Sequence, residues 1–499
     1  WVYWNRIPFA AISRVEVVRG ATSQLYGSSA LGGTIQLIPQ KPAGRFFQAR
    51  GQLGTAGVLD LDIGAGDRAG DWGYLVSGRV LDSSGYYLIR EHLRGPVDVP
   101  ASSAFQTFFG RVYYKSLHAG LNLFRESRSN GTRLQTNDSR LALFDVSVEA
   151  TSWDARLYAQ SELFRSNFSR IAANRSAEFL TTRQEVPSRA FGAAWTWRPA
   201  SVLLLGVDWR YAGWDQYDQN LAGVFAQTLL PISSSLDLLL GARFDAWENE
   251  STQTSLNPRA GLVWRTRDWL TARASAYRGF RSPTLNELYR PFRVGNVETL
   301  ANPALGEEYL WGGETGVDFH PTRRLLWRVN GFWNSLQNPV ANVTLSTTPN
   351  QILRQRMNLG GITARGFESE LVLDYALYAL RAGYLYSAAS IKRSRLEVPQ
   401  APAHQGVVGF DYKRGVFASL QARWIGRQFE DDLNTLVLPG YLVIDCLISR
   451  PVATNLRLFL SVENLFDREY AVGRTPIEQL GSPRLIHGGL ALDLGTAGR

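Results

Sequence analysis

Apolar and polar residues alternate along most of the chain. In residues 236–247, Leu236, Leu238, Leu240, Ala242, Phe244 and Ala246 share one face, while Asp237, Gly241, Arg243, Asp245 and Trp247 share the other. Leu239 is the aliphatic exception. Residues 366–375 set Phe367, Leu371, Leu373 and Tyr375 against Glu368, Glu370 and Asp374. Residues 270–277 and 456–463 repeat the pattern. A period of two places successive side chains on opposite sides of a strand, so these segments predict strands with two unlike faces. No apolar run reaches the length of a membrane-spanning helix. Aromatic residues make up 12% of the chain, which excludes a disordered protein. A soluble β-protein or a membrane barrel remains.

Three features favour the barrel. Alternating segments recur over most of the 499 residues, too many for one sandwich. Aromatic residues crowd the segment ends, as at Trp195, Trp197, Trp209, Tyr211, Trp214, Trp264 and Trp269, where interfacial girdles would lie. Polar stretches at 122–140, 166–190, 284–306 and 335–358 read as long loops, whereas Arg198-Pro199-Ala200, Thr266-Arg267-Asp268 and His320-Pro321-Thr322 read as tight turns. From about residue 44 onward, about 22 strands would each receive roughly 21 residues with connections, above the about 9–11 needed to span a bilayer. Sixteen or eighteen strands with longer loops also fit.

Charge and chemistry narrow the function. The formal net charge is +9, and only Lys41, Lys115, Lys392 and Lys413 are lysines, so the positive charge is almost all arginine. Those arginines are scattered rather than clustered, which excludes nucleic acid as a partner. The single cysteine, Cys446, excludes a disulfide framework, and its alternation with Leu442, Ile444 and Ile448 marks it as a packing or lipid-facing residue. The histidines His92, His118, His320, His404 and His487 show no metal-ligand spacing. Gly64 to Gly70 misses the dinucleotide pattern by one residue. No catalytic residue, metal site or cofactor is expected.

The first forty residues differ from the rest. A short charged strand, Ile12 to Arg19, is followed by the glycine-rich Gly20 to Gly33 and a second strand, Thr34 to Ile38. Within it, Arg14-Val15-Glu16-Val17-Val18-Arg19-Gly20, Leu25-Tyr26-Gly27 and Ala30-Leu31-Gly32-Gly33-Thr34-Ile35 resemble the distal end of the plug domain of TonB-dependent outer-membrane receptors. Ala21 stands where that family commonly has Pro. Phe280 to Tyr289, Asn302 to Glu307, Glu314-Thr315-Gly316-Val317, Arg365 to Glu368, Pro439-Gly440-Tyr441 with Asp445, and Glu463 to Tyr470 are similar to barrel segments of the same family, in its order. The last strand, Pro483 to Leu494, resembles the insertion signal of barrel strands, although the chain continues to Arg499.

The resemblance implies an all-β protein: a large antiparallel transmembrane β-barrel of about 22 strands (residues 44–499) holding part of an α+β plug (residues 1–43) in its lumen. It implies active uptake across the bacterial outer membrane of a scarce ligand, a ferric siderophore or cobalamin-like chelate, with nickel chelates and oligosaccharides as further classes. TonB would engage a box in an N-terminal part expected before Trp1, together with a signal peptide and the start of the plug. The other expected partners are outer-membrane lipid and lipopolysaccharide, around a monomer. The alternative is a passive porin or an adhesive barrel without energy coupling, which needs no plug. In the family, plug arginines pair with wall glutamates, which singles out Arg14 and Arg19 with Glu314 and Glu368. Ligand contacts are expected from Tyr26 and Ser28 on the plug and from Trp214, Tyr217, Tyr289, Phe292 and Arg293 in loops, since aromatic rings and guanidinium groups suit large organic chelates. The same aromatics would also serve as girdle or loop packing.

Overall fold

The computed structural model describes residues 3–248, 252–294, 296–348 and 351–495. Twenty-two antiparallel strands close into a barrel. The first, Phe46–Gly54, pairs with the second, Val58–Ala69, on one side and with the last, Leu485–Gly495, on the other. At one end the connections are tight turns of two to four residues; at the other lie all the long ones. Closure removes the free edges that an open sheet would expose.

The wall is apolar outside and polar inside. In Val58–Ala69, Leu59, Leu61 and Ile63 are exposed, while Asp60 and Asp62 are buried. In Leu236–Glu248, Leu240 and Phe244 are exposed and Arg243, Asp245 and Trp247 are buried. Leu117–Ser129 repeats this, with Leu121 and Leu123 outside and Asn122 and Glu126 inside. A water-soluble fold would bury the opposite set; this inversion is what a hydrocarbon surround demands. Trp195, Trp197, Trp209, Trp264 and Trp269 all point outward, whereas Trp214 lines the lumen.

The expected loops and turns are displaced in informative ways. Pro199 and Pro321 lie inside strands, Glu178–Ala200 and Glu308–Thr322, and the reversals follow two residues later. Both ladders shift register beside these prolines, where a missing N–H is tolerated at a strand end. The polar stretch 122–140 is mostly strand, and 166–190 is a tall hairpin of Trp153–Ile171 with Glu178–Ala200. Beyond the apolar band neither face meets lipid, so strands continue there without the alternation that reveals them. The described residues of 284–306 and 338–358 include a short helix, Leu285–Tyr289, and a separate four-stranded sheet at the loop end of the barrel, while 335–337 still belong to the barrel strand Leu325–Gln337.

Residues 3–40 thread the interior. Two 3₁₀ turns, Trp4–Arg6 and Phe9–Ala11, lead into a hairpin of Ile12–Arg19 with Gly33–Pro39, interrupted by the helical turn Ser23–Tyr26. The early turns pack on the strands spanning residues 58–129, and Ser23–Tyr26 packs on those spanning 236–281. These are distant arcs of the wall, so the segment crosses the lumen.

Candidate functional site

The crossing segment is held at two places. Midway along the Val58–Ala69 strand, the Asp62 carboxylate accepts hydrogen bonds from the backbone N–H of Phe9 (2.8 Å) and Ala10 (3.1 Å). The Phe9 ring lies 4.2 Å from the Arg79 guanidinium, which is paired bidentately with Asp60 at 2.9 Å. Gln40 closes the latch: its N–H donates to the Ala11 carbonyl (2.8 Å), its side chain donates to Ala10 (2.9 Å), and its own carbonyl accepts from Tyr113 (2.8 Å). Lys41 adds an ion pair to Glu149 at 2.5 Å.

The second attachment is the loop Gly20 to Ala30. Arg259 donates to the Ala21 carbonyl (2.8 Å), the Phe280 N–H to Ser23 Oγ (3.2 Å), the Ser282 N–H to Ser28 Oγ (3.0 Å), and the Ser29 N–H to the Phe280 carbonyl (3.3 Å). Gly20 and Gly27 carry positive φ of 74° and 67°. A Cβ at Gly20 would sit 2.5 Å from Glu314 Oε1, and one at Gly27 2.9 Å from Arg243 Nη2. Both positions therefore require glycine for conformation and for clearance. Arg243 is fixed by Asp208 and Asp245, at 2.6 and 2.7 Å.

The two arginines and two glutamates singled out for plug–wall pairing are not used alike. Arg19 forms an ion pair with Glu368 of the wall. Arg14 is instead paired with Glu16, two residues away on its own strand, at 2.6 Å; residues i and i+2 share a face of a strand, so the nearest carboxylate is local. Glu314 meets the loop at Gly20 and accepts from Tyr277 at 2.7 Å.

The expected ligand residues also divide. A cavity of about 2050 Å³ occupies the lumen between the plug segment and the loop end, and Trp214, Phe292 and Arg293 line it. Arg293 is paired with Glu298 at 3.6 Å. Tyr217 and Tyr289 stack on each other at 4.0 Å with 7° between planes and brace the helix Leu285–Tyr289. Ser28 is buried against Ser282, a wall contact rather than a ligand contact. Tyr26 hydrogen-bonds Gln36, whose side lies opposite Ile35 and Leu37, the hairpin residues that line the cavity.

Two lining residues had no signal in the sequence reading. Arg290 donates to Gln184 (2.9 Å) and Asn286 (3.3 Å), and its guanidinium lies 5.0 Å from the Phe164 ring. Arg356 donates to the backbone carbonyls of Asn286 (2.6 Å) and Arg290 (2.7 Å) and lies 5.0 Å from Phe292. Among the described residues neither has a carboxylate within ion-pair distance. Burial lowers the affinity of both for their protons; Arg356 adds repulsion at Arg290, while the nearby Glu287 carboxylate offsets part of the burial effect at Arg356. A pair of partly desolvated cations beside aromatic rings is a site that an anion would stabilise. Arg290 directly follows the Phe280 to Tyr289 motif, but Arg356 arrives from a distant strand, Gln351–Asn358.

Comparison with known proteins supplies the context. Residues 59–465 match the family model for the TonB dependent receptor-like β-barrel, and residues 2–34 match the TonB-dependent receptor plug domain. The chain is 22% identical to the vitamin B12 transporter BtuB of Photobacterium profundum, over 95% of this chain and 78% of that protein. It is 23% identical to the metal-pseudopaline receptor CntO of Pseudomonas aeruginosa, over 94% and 78%. Among solved structures, the siderophore receptor PirA from Acinetobacter baumannii superposes with a TM-score of 0.77 at 14% identity, covering 98% of this chain and 86% of that one. A ferric enterobactin receptor from Pseudomonas aeruginosa superposes with a TM-score of 0.78 at 15% identity, covering 98% and 87%. The family comprises receptors and transporters rather than enzymes. With barrel, plug segment and motif order in agreement, this chain belongs to the TonB-dependent receptors of the bacterial outer membrane.

Proposed function

We propose that this receptor imports an anionic organic metal chelate, of the ferric siderophore class, through the cavity mouth formed by Arg290, Arg356, Phe292 and Trp214. One observation carries the reading: two guanidinium groups, Arg356 buried and Arg290 partly buried, have no carboxylate within ion-pair distance among the described residues and flank aromatic rings at the loop end of the lumen. A negatively charged chelate offers the missing counter-charge and apolar area for the rings. In this reading residues 1–43 serve as the closing part of the plug and residues 44–499 as the pore wall. The barrel works as a monomer, with outer-membrane lipid and lipopolysaccharide against its apolar exterior. TonB, the energy-coupling partner of the family, acts on the plug from the periplasmic side.

A cobalamin-like ligand is the second reading, favoured by the likeness to the vitamin B12 transporter. Titration calorimetry of the receptor in detergent with a ferric tricatecholate, a ferric trihydroxamate and cyanocobalamin separates the two. The proposal expects binding of a ferric chelate, weakened about tenfold in Arg290→Ala by loss of a charge-assisted contact. Binding of cyanocobalamin alone, unchanged by that substitution, would overturn it.

A further inference from the structure

Three consecutive wall residues alternate between plug and rim. The Phe280 N–H and carbonyl bind Ser23 and Ser29, and the Ser282 N–H binds Ser28. Between them, the Arg281 side chain reaches the other way. It donates to both oxygens of Glu287 (2.7 and 3.0 Å) and both oxygens of Glu308 (2.9 and 2.8 Å). Glu287 belongs to the helix Leu285–Tyr289, capped by a reciprocal Thr284–Glu287 bond pair. Glu308 lies opposite Arg281 on the neighbouring strand and also accepts from the Val340 N–H. The carbonyls of Asn286 and Arg290, around the end of the same helix, are held by Arg356.

We infer that Arg281 is a positioning residue that couples the helix beneath the cavity mouth to the plug loop Thr22 to Ser29. Only a guanidinium can grip two carboxylates bidentately at once. Doing so fixes the peptide planes at 280 and 282 in the orientation that receives Ser23, Ser28 and Ser29. A shift of the helix therefore reaches the plug within a few residues, and loosening of the plug must act back on the helix with the same free energy. The route from Arg356 into the helix rests on the anion reading above. The link from Arg281 to the plug does not.

Hydrogen exchange on the ligand-free receptor in detergent tests that link, with heat-modifiable electrophoretic mobility reporting an intact barrel. Glu287→Gln leaves the Arg281–Glu308 pair in place, and Arg281→Lys removes the double grip. Both are expected to speed exchange of the Thr22, Gly27 and Ser29 amides about five- to tenfold. The Phe9 and Ala10 amides, bonded to Asp62 on a distant arc, should keep wild-type rates. Faster exchange confined to the helix Leu285–Tyr289, or equal loosening of both attachments, would overturn the coupling. Should Arg281→Lys not fold, Glu287→Gln decides the outcome alone. Failure of the chelate to bind would leave these exchange rates, and this conclusion, unaffected.

Discussion

The plug segment is attached twice, by contrasting chemistry. At the latch, a buried carboxylate receives two backbone N–H groups, an ion pair with both partners nearly buried sits under Phe9, and Gln40 ties the segment's exit to its entry. At the loop, most bonds join hydroxyls and backbone amides at 3.0–3.3 Å, and the fit depends on two glycines. Hydrogen bonds to a charged group contribute about 1.5–3 kcal/mol each, neutral ones about 0.5–1.5. The difference assigns distinct duties. The latch keeps the segment inside the barrel, while the loop can leave the wall at modest cost, as a plug that must be remodelled for passage requires.

The largest test removes the latch. Asp62→Ala deletes both charge-assisted bonds and should cost about 3 kcal/mol locally. The Phe9 and Ala10 amides are then expected to exchange about 100-fold faster, with the Thr22 to Ser29 amides unchanged. If both regions accelerate together, the segment releases as one unit and the division of duties is wrong. Gly27→Ala attacks the other side. Its methyl would meet Arg243, which two aspartates hold in place, and its φ of 67° disfavours any Cβ. A loss of about 1–2 kcal/mol, read as roughly tenfold faster exchange confined to the loop, is expected. Gly32→Ala is the matched control, since a Cβ there meets nothing within 4 Å. An equal effect at both glycines would show that chain stiffness, rather than fit against Arg243, governs the loop.

The contrast also explains what could be read in advance. The barrel was legible because lipid outside and polar groups inside impose a period of two on each membrane-crossing strand. The tall hairpin through 166–190 was not, because both of its faces leave the apolar band. Arg19 and Glu368 were legible as complementary charges in recognisable motifs. Asp62 was not, since its partners are the backbone N–H groups of Phe9 and Ala10, which any residue supplies. Arg14 illustrates the limit of charge matching: Glu16 is nearer than any wall carboxylate. Arg281 and Glu287 stood inside the Phe280 to Tyr289 motif, but the double grip of Arg281 on Glu287 and Glu308 appears only once strand pairing brings Glu308 alongside. Arg356 reaches Arg290 through the extra-barrel sheet, a juxtaposition that local spacing does not encode.

The smallest expected effect belongs to the pair most visible in the sequence. The Arg19 side chain is 63% exposed and that of Glu368 28%. An ion pair so open to water gains little over hydration and contributes under about 1 kcal/mol. Arg19→Gln should therefore leave exchange at both attachments within about twofold of wild type, and raising the salt concentration should change it no further. Its contribution would be directional: opposite charges on the hairpin and on the Ile362–Asp374 strand bias which side of the lumen the loop faces as it returns. Slower recovery of Thr22 to Ser29 protection after a denaturant pulse, with unchanged protection at equilibrium, is the signature of that role. A large equilibrium loss in Arg19→Gln would instead place the main anchor at this pair and reverse the ranking of the two attachments.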